Sequence, residues 1–281
     1  MRYFITYGDS GYELAKKRIC SQAAAVGEFD HIIAYGREDL SLEVIHSPLL
    51  QIKRGGGLWC WKPDVILTTL EKMQEGDCLV YCDAGCTLQK SGEWNRYWSL
   101  LQSHEMIASR IFQRTNHWTR RELLEYMHST NHHGWEKCFQ YMATIIIIKK
   151  TAFTVQFVQE WRSLILENPQ LIMDVPESER HLQHAEFVES RHDQSVYSAL
   201  VYKYQNQKET RCRIYAMWEH MEDYDLFSRQ AIRTTRLRTG ETRHSRRYEV
   251  KAIIKRILKD FIYKPLWIVP QQWYYERQAP N

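Results

Sequence analysis

The 281-residue sequence lacks any long apolar run. No stretch reaches the roughly 18 consecutive apolar residues that a transmembrane helix requires. We also expect no secretory leader, because Arg2 is followed directly by the strand-like residues 3–7. The seven cysteines are an odd number scattered through apolar segments, which is typical of reduced thiols. Together these absences predict a cytoplasmic protein.

Three common kinds of functional motif are absent as well. The glycine-rich residues 54–63 lack the Gly-x-x-x-x-Gly-Lys-Ser/Thr spacing of a P-loop. The histidines of residues 128–133 do not form a helical His-x-x-x-His pair backed by acids, and the cysteines of residues 78–86 span too far to close on one ion. The sequence contains no recognised nucleic-acid module, so we expect no nucleic-acid partner.

The composition is that of a globular chain with an unusual number of aromatic residues. A hydrophobic content of 44% and a charged content of 26% are ordinary for a protein of this size, which can bury a full core. Ten tryptophans and 17 tyrosines exceed what core packing alone suggests. They indicate additional stacking surfaces for rings or sugars.

The order of predicted elements indicates an α/β fold. Residues 3–7 and 29–35 form strands around a helix at residues 12–26, and strand–helix–strand segments of this length predict a parallel pair with a right-handed crossover. Further strands are predicted at 78–82, 104–111 and 142–150. Further helices are predicted at residues 63–73, 93–101 and 152–166. Two more are predicted to begin near residue 118 and after residues 191–194. The continuous β-branched run 142–150 predicts a central strand that is buried on both faces.

The first turn, residues 8–11, lies where parallel sheets bind nucleotides. Asp9 has the chemistry to bond a ribose hydroxyl or a base N–H, and Tyr7 or Tyr12 to stack on the base. The alternative is that Asp9 and Ser10 only cap the following helix.

A glycine-rich stretch follows at residues 54–63. Its glycines permit close approach to a ligand, and Pro63 suits the first turn of a helix. Lys62 then lies at the helix entrance, where a cation beside free backbone N–H groups is suited to bind a diphosphate. The alternative is a flexible loop packed down by two tryptophans.

The central chemical feature is the apolar run 78–86, which delivers a single carboxylate, Asp83, to a turn of small residues. The small side chains of Ala84 and Gly85 leave open space around that charge at the edge of the sheet. Ligands bind at this edge in open α/β sheets.

A second polar cluster, residues 191–194, enters a helix with apolar residues on its core face. A carboxylate at a helix N-terminus is favoured by the helix dipole. Asp193 can therefore point into a cleft, or it can serve only as an N-terminal helix acid. His192 reads as a structural histidine rather than as a general base.

These stretches together resemble the GT-A nucleotide-sugar glycosyltransferases, and in particular bacterial polysaccharide-synthesis enzymes similar to the retaining galactosyltransferase-like group. The resemblance covers about residues 3–240. It is carried by residues 7–12, Lys62, residues 81–85, residues 141–150 and residues 192–195. It implies a Rossmann-like, mostly parallel central sheet flanked by helices, with the donor sugar beside His192, Asp193 and Gln194.

The resemblance also implies a divalent cation, Mn²⁺ or Mg²⁺, at the motif that contains Asp83, Ala84 and Gly85. Gly85 stands where the family motif has a second acid. Another part of the chain must then supply a further metal ligand, and in the resembled family this ligand is often a C-terminal histidine. His220 and His244 are the candidates, and we assign His244.

The implied reaction needs the charge of a departing nucleoside diphosphate to be neutralised by a metal at Asp83, by Lys62 or by arginines. The implied catalytic residues are Asp193 and Gln194. If the enzyme inverts the sugar, Asp193 acts as a base on the acceptor hydroxyl. If it retains the configuration, Asp193 and Gln194 line the donor sugar.

The predicted function is transfer of a hexose, galactose or glucose, from a nucleotide-diphosphate sugar to a saccharide acceptor in surface polysaccharide, O-antigen or capsule synthesis. We expect the acceptor to be lipid-linked. A nucleotidyltransferase is the alternative within enzymes. A non-catalytic sugar- or lipid-binding protein of the same fold is the alternative outside them.

The charge of the chain is uneven, and this asymmetry divides it into a catalytic domain, residues 1–245, and a basic, aromatic extension, residues 246–281. Residues 229–281 carry 13 lysines and arginines against 4 acids. Residues 248–262 predict an amphipathic helix with a basic face, which suits peripheral binding to an anionic membrane at its cytoplasmic side. The alternative is that its apolar stripe packs on the catalytic domain.

Overall fold

The computed structural model describes residues 1–129, 134–218 and 230–238, together with residues 240, 250 and 254. Apart from residues 250 and 254, the predicted amphipathic helix and the rest of the basic extension lie outside the described residues. So do two histidines of the 128–133 cluster, His132 and His133.

The described chain alternates strands and helices. The strands are β1 (Arg2–Tyr7), β2 (His31–Tyr35), β3 (Cys78–Cys82), β4 (Thr87–Leu88), β5 (Met106–Arg114), β6 (Phe139–Tyr141), β7 (Ile145–Lys149), β8 (Ile214–Trp218) and β9 (Ile232–Arg233). The helices are α1 (Glu13–Val26), α2 (Leu42–His46), α3 (Gly55–Leu58), α4 (Trp61–Lys72), α5 (Glu93–Ser103), α6 (Thr115–Trp118), α7 (Arg121–Ser129), α8 (Ala152–Glu167) and α9 (Asp193–Gln205).

A seven-stranded sheet forms the centre of the fold, and five of its strands run in one direction. β1 pairs in parallel with both β2 and β3, and β3 pairs antiparallel with β7. β6 and β7 pair antiparallel with β5, and β8 pairs with it in parallel. The short strands β4 and β9 form a separate antiparallel pair. This architecture confirms the predicted α/β class with a mostly parallel central sheet.

The two faces of the sheet bury different helices. Ile146 and Ile148 of β7 pack in one apolar cluster with α4, α8 and α9, whereas Ile145 and Ile147 pack in another with α1 and α5. Successive side chains of a strand point to opposite faces, so a continuous run of isoleucine fills both layers. The prediction of a doubly buried central strand is confirmed, although β7 runs antiparallel to β3 and begins three residues later than predicted.

Helix ends follow their local sequence. Thr151 caps α8 by accepting a hydrogen bond from the backbone N–H of Thr154, and Gly27 ends α1 in a left-handed conformation, φ 76°. These are the preferred residue types at helix starts and ends. The predicted helices at residues 12–26, 63–73 and 152–166 are therefore found within two residues of their expected bounds.

All seven cysteines are free thiols, and Cys82 and Cys86 are buried. No helix in the described part of the chain is both long and apolar enough to cross a membrane.

The central strand provides a test of the packing. We expect Ile147→Ala to lower the free energy of unfolding by about 2–5 kcal/mol, because the cavity it leaves lies in a closed core. Ile147 is 1% exposed, whereas Leu42 on α2 is 71% exposed. Leu42→Ala is the matched control and should change stability by about 0.5 kcal/mol or less. Urea unfolding measures both, and equal effects would contradict the described layers.

Candidate active site

One large cavity, of about 820 Å³, lies at the carboxyl ends of β1 and β3. Loops that follow these strands line one side, and the N-terminus of α9 lines another. This is the edge at which open α/β sheets bind ligands. The predicted site residues Asp83 and Asp193, which are 110 positions apart in the sequence, both face this space.

An ion triad forms the floor of the cavity. The Lys62 Nζ lies 2.8 Å from Asp193 Oδ2 and 3.3 Å from Asp83 Oδ1. The Tyr81 hydroxyl donates a second hydrogen bond, 2.6 Å long, to Asp83 Oδ1. Lys62 is 2% exposed and Asp193 is 4% exposed, so the ammonium is taken out of water and depends on the two carboxylates for its charge balance.

Three elements bring these side chains together. Asp83 directly follows β3, Lys62 lies in the first turn of α4, and Asp193 is the first residue of α9. The Trp161 indole of α8 donates a hydrogen bond to the Asp193 carbonyl, 3.2 Å away, which ties the start of α9 to the core. The triad therefore joins a strand end to two helix starts.

Burial sets the protonation of the triad. It raises the pKa of Asp193 to about 6; Lys62 opposes this shift and the nearby Asp83 charge adds to it. Burial by itself would lower the pKa of Lys62, but the two carboxylates outweigh it and raise that pKa above its ordinary value. Lys62 is therefore charged at neutral pH. Asp193 gains or loses its proton at a pH slightly below neutral.

The glycine-rich stretch forms part of the cavity wall. Gly55 and Gly56 line the cavity with φ values of 61° and 59°, which glycine adopts freely. Three non-glycine residues of the cavity wall also have positive φ values: Trp59 at 60°, His192 at 49° and Arg236 at 56°. At a non-glycine residue this conformation costs about 1–3 kcal/mol, and such residues cluster at functional sites.

The first turn reaches the cavity as predicted, and its helix-capping role is present too. Asp9 Oδ1 accepts a hydrogen bond from the Gly11 N–H, 3.0 Å away, and Asp9 also lines the cavity. One face of the Tyr7 ring is covered by Trp61, at 3.9 Å between ring centroids, and burial raises the pKa of Tyr7 to about 12. Tyr12 is half-buried, so it remains the better placed ring for stacking.

His192 is fixed by its surroundings. Its Nδ1 donates to the Ile172 carbonyl at 2.7 Å, and its ring stacks on Trp59 at 5.5 Å between centroids. Burial lowers its pKa. These contacts fit the structural reading of this histidine, and they position the adjacent Asp193.

A chain of amide side chains orients Gln194. Its Nε2 donates to Gln140 Oε1 at 2.7 Å and to Gln113 Oε1 at 3.3 Å. Gln140 is fully buried and donates in turn to Thr119 and Ser195. Sequence reasoning missed Gln113 and Gln140; a lone glutamine inside the apolar run of β6 was the available signal.

Two arginines of the lysine- and arginine-rich residues 229–281, the basic tail of the sequence, also line the cavity. Arg236 and Arg238 are exposed, and the buried Leu237 lies between them. The guanidinium of Arg238 lies 5.7 Å from the centroid of the Tyr12 ring. Sequence reasoning missed both arginines as site residues because their charge pattern matches the rest of the tail.

The described residues do not by themselves fit a divalent cation at Asp83. Lys62 already lies between the two carboxylates, and the described part of the chain contains no group of three or more His, Cys, Asp or Glu side chains able to hold a metal. The predicted ligand His244 and the alternative His220 lie outside the described residues. Every other predicted site residue, including Ala84 and Gly85, lines the same cavity.

No protein-family model matches the sequence, and no curated protein matches it. The fold is similar to solved glycosyltransferases, the class that the sequence motifs resemble. One is GlyE of Streptococcus pneumoniae TIGR4, at 13% identity and a TM-score of 0.45, covering 94% of this chain and 64% of that one.

Two other similar structures are also glycosyltransferases. One is involved in glycosylation of the major capsid of PBCV-1, at 9% identity and a TM-score of 0.42, covering 80% of this chain and 83% of that one. The other is the galactosyltransferase LgtC with donor and acceptor sugar analogues, at 11% identity and a TM-score of 0.37, covering 82% of this chain and 91% of that one. At these identities and TM-scores the likenesses establish no activity for this chain.

The ion triad predicts a pH-dependent stability defect. Lys62→Met should lower the free energy of unfolding by about 3–5 kcal/mol near pH 8, because it leaves the buried carboxylate of Asp193 without a counter-charge. The loss should be smaller near pH 5, since the pKa of Asp193 rises further without Lys62 and the group is then protonated.

Urea unfolding at the two pH values measures this effect. Lys72→Met, an exposed substitution in the last turn of the same helix, is the control and should change stability by about 0.5 kcal/mol or less. A Lys62→Met loss that is the same at both pH values would contradict the proposed charge balance.

Proposed function

We propose that this chain is a glycosyltransferase that moves a sugar from a nucleotide-diphosphate donor to a saccharide acceptor. The observation that carries the proposal is the ion triad on the floor of the cavity. It places the carboxylate of Asp193, with a pKa of about 6, in a space that is lined by aromatic rings and cations and is large enough for a sugar nucleotide.

The donor is proposed to lie with its nucleoside at the first turn. Tyr12 stacks on the base and Asp9 bonds the ribose or the base. The cavity also contains six lysines and arginines against three aspartates. This excess of positive charge favours a ligand with a diphosphate, whose negative charge grows as the sugar–phosphate bond breaks.

Asp193 is proposed to act on the sugar side. As the sugar–phosphate bond breaks, the sugar ring gains oxocarbenium character, and an ionised carboxylate stabilises that charge. The same carboxylate could instead accept the proton of the acceptor hydroxyl, which requires direct hydrogen-bond reach. Gln194, held by Gln140, is proposed to orient the donor sugar.

We further propose a hexose donor, galactose or glucose, and a lipid-linked saccharide acceptor in surface polysaccharide synthesis. The basic residues 246–281 would then bind an anionic membrane at its cytoplasmic side. The support for this part of the proposal is the sequence pattern of the extension and the motif resemblance.

Turnover of donors tests the function. Incubation with a panel of UDP-, GDP-, ADP- and dTDP-sugars should release the nucleoside diphosphate from at least one donor. Asp193→Asn should lower the rate about 100-fold or more, because it removes the carboxylate charge at nearly constant volume. Asp30→Asn, at an exposed aspartate outside the cavity, is the matched control and should keep the wild-type rate.

The outcomes separate the alternatives. Release of pyrophosphate from a nucleoside triphosphate and a sugar phosphate would identify a nucleotidyltransferase. Binding of donors without turnover would identify a sugar-binding protein. Asp193→Asn with near-normal transfer would remove Asp193 from the mechanism.

The activity should also depend on the ionisation of Asp193. Because burial raises its pKa to about 6, we expect kcat/KM to fall about tenfold per pH unit below pH 6. Lys62→Met should move this acidic limb to higher pH, since the lysine charge holds the pKa down. A profile that stays flat down to about pH 5 would show that the ionised form of Asp193 is not required.

A further inference from the structure

The position of a bridging cation between the two carboxylates is taken by the protein itself. Lys62 Nζ is within 3.3 Å of both Asp83 and Asp193, and Tyr81 donates to the Asp83 oxygen that faces the lysine. A divalent ion that bridges Asp83 Oδ1 and Asp193 Oδ2 would have to approach the buried Lys62 ammonium closely. Like charges at such a distance repel more strongly where burial lowers the effective dielectric constant.

The space beside Gly85 is also occupied. A Cβ atom built on Gly85 would lie 3.2 Å from the Cα of Arg236 and 3.5 Å from its carbonyl carbon. Gly85 is the position at which the resembled motif has a second acid. A side chain there would be in tight contact with the backbone of residues 236–237, which would have to shift by a few tenths of an ångström, so the segment that carries the arginines packs where the second acid would begin.

That segment is fixed to the floor of the cavity by its backbone. The Leu237 N–H donates to the Gly85 carbonyl at 2.9 Å, and the Thr235 hydroxyl donates to the same carbonyl at 3.0 Å. The buried Arg18 donates through Nη2 to the carbonyls of Ala84, at 2.8 Å, and Leu237, at 3.3 Å. These bonds tie the turn after Asp83 to the turn that carries Arg236 and Arg238.

The anchoring determines where the two arginines lie. Leu237 is 3% exposed and points into the protein, so its neighbours on either side are exposed. Arg236 is held at φ 56°, a left-handed conformation that a non-glycine residue adopts at a cost of about 1–3 kcal/mol. Both arginines line the cavity that contains Asp83.

Three other cations of the cavity wall form ion pairs with acids. Arg54 pairs with Asp174 at 2.7 Å, and Arg191 pairs with Glu189 at 3.3 Å. Lys62 forms ion pairs with Asp83 and Asp193. Arg236 and Arg238 are the exposed arginines next to the Asp83 turn, and guanidinium groups bind phosphate oxygens through paired N–H donors.

We infer that Arg236 and Arg238, and not a divalent cation, neutralise the diphosphate of the donor, while Lys62 fills the cation position between Asp83 and Asp193. This inference rests on the proposed glycosyltransferase function. It makes donor binding independent of metal and dependent on the two arginines.

Equilibrium binding tests the inference without relying on turnover. Inorganic pyrophosphate and the nucleoside diphosphates UDP, GDP, ADP and dTDP are titrated by calorimetry into the full-length protein, in excess EDTA and in excess Mn²⁺. We expect a Kd for the best nucleotide that changes about twofold or less between the two conditions. Arg236→Gln and Arg238→Gln should each weaken binding about tenfold or more, through loss of charge-assisted hydrogen bonds.

A matched control and a fold control complete the experiment. Arg96→Gln, at an exposed arginine of α5 that does not line the cavity, should leave the Kd unchanged. Urea unfolding of each variant confirms that binding is lost without loss of the fold. Salt should weaken nucleotide binding to the wild type more than to the double variant that combines Arg236→Gln with Arg238→Gln, because two of the charges that salt screens are then missing.

The outcomes distinguish this inference from the proposed function. Nucleotide binding that requires Mn²⁺ and is indifferent to both arginines would overturn the inference and leave the glycosyltransferase proposal standing. Failure of the protein to bind pyrophosphate or any of the nucleotides under either condition would overturn both. Metal-independent binding with normal affinity in the double variant would assign the diphosphate to other groups and overturn the inference.

Discussion

The buried charge of Lys62 is the constraint on which the rest of the site depends. An ammonium that is 2% exposed is stable only because Asp193 and Asp83 lie within 3.3 Å of it. This requirement joins the end of β3 to the starts of α4 and α9. Burial raises the pKa of Asp193 and the Lys62 charge lowers it, so the interaction that holds the three elements together also adjusts the pKa of the group proposed to act on the sugar.

A second set of contacts closes the cavity from the other side. Arg18 of α1 donates to carbonyls of the turn after Asp83 and to the Leu237 carbonyl, and β9 pairs with β4 next to that turn. The polypeptide returns to the site after the last strand of the main sheet and places two arginines beside Asp83. The cavity is thus lined by segments from the beginning, the middle and the later part of the chain.

The charged groups of the site lie in two different environments. Lys62 and Asp193 are buried and balance each other, whereas Arg236 and Arg238 are exposed to the cavity. Buried charges fix geometry because separating them is costly, and exposed charges are available to a ligand that brings the opposite charge. An anionic donor would therefore meet the arginines without disturbing the triad.

The α/β class, the core strand β7 and the candidate residues of the first turn, together with Asp83 and Asp193, were predictable from the sequence, because hydrophobic periodicity and a polar residue at a strand end are local signals. Three facts could be seen only in the folded chain: Lys62 lies between the two acids, β7 runs antiparallel to β3, and Arg236 and Arg238 line the cavity. They depend on contacts between residues up to 219 positions apart, such as the Arg18–Leu237 hydrogen bond, and no local pattern encodes them.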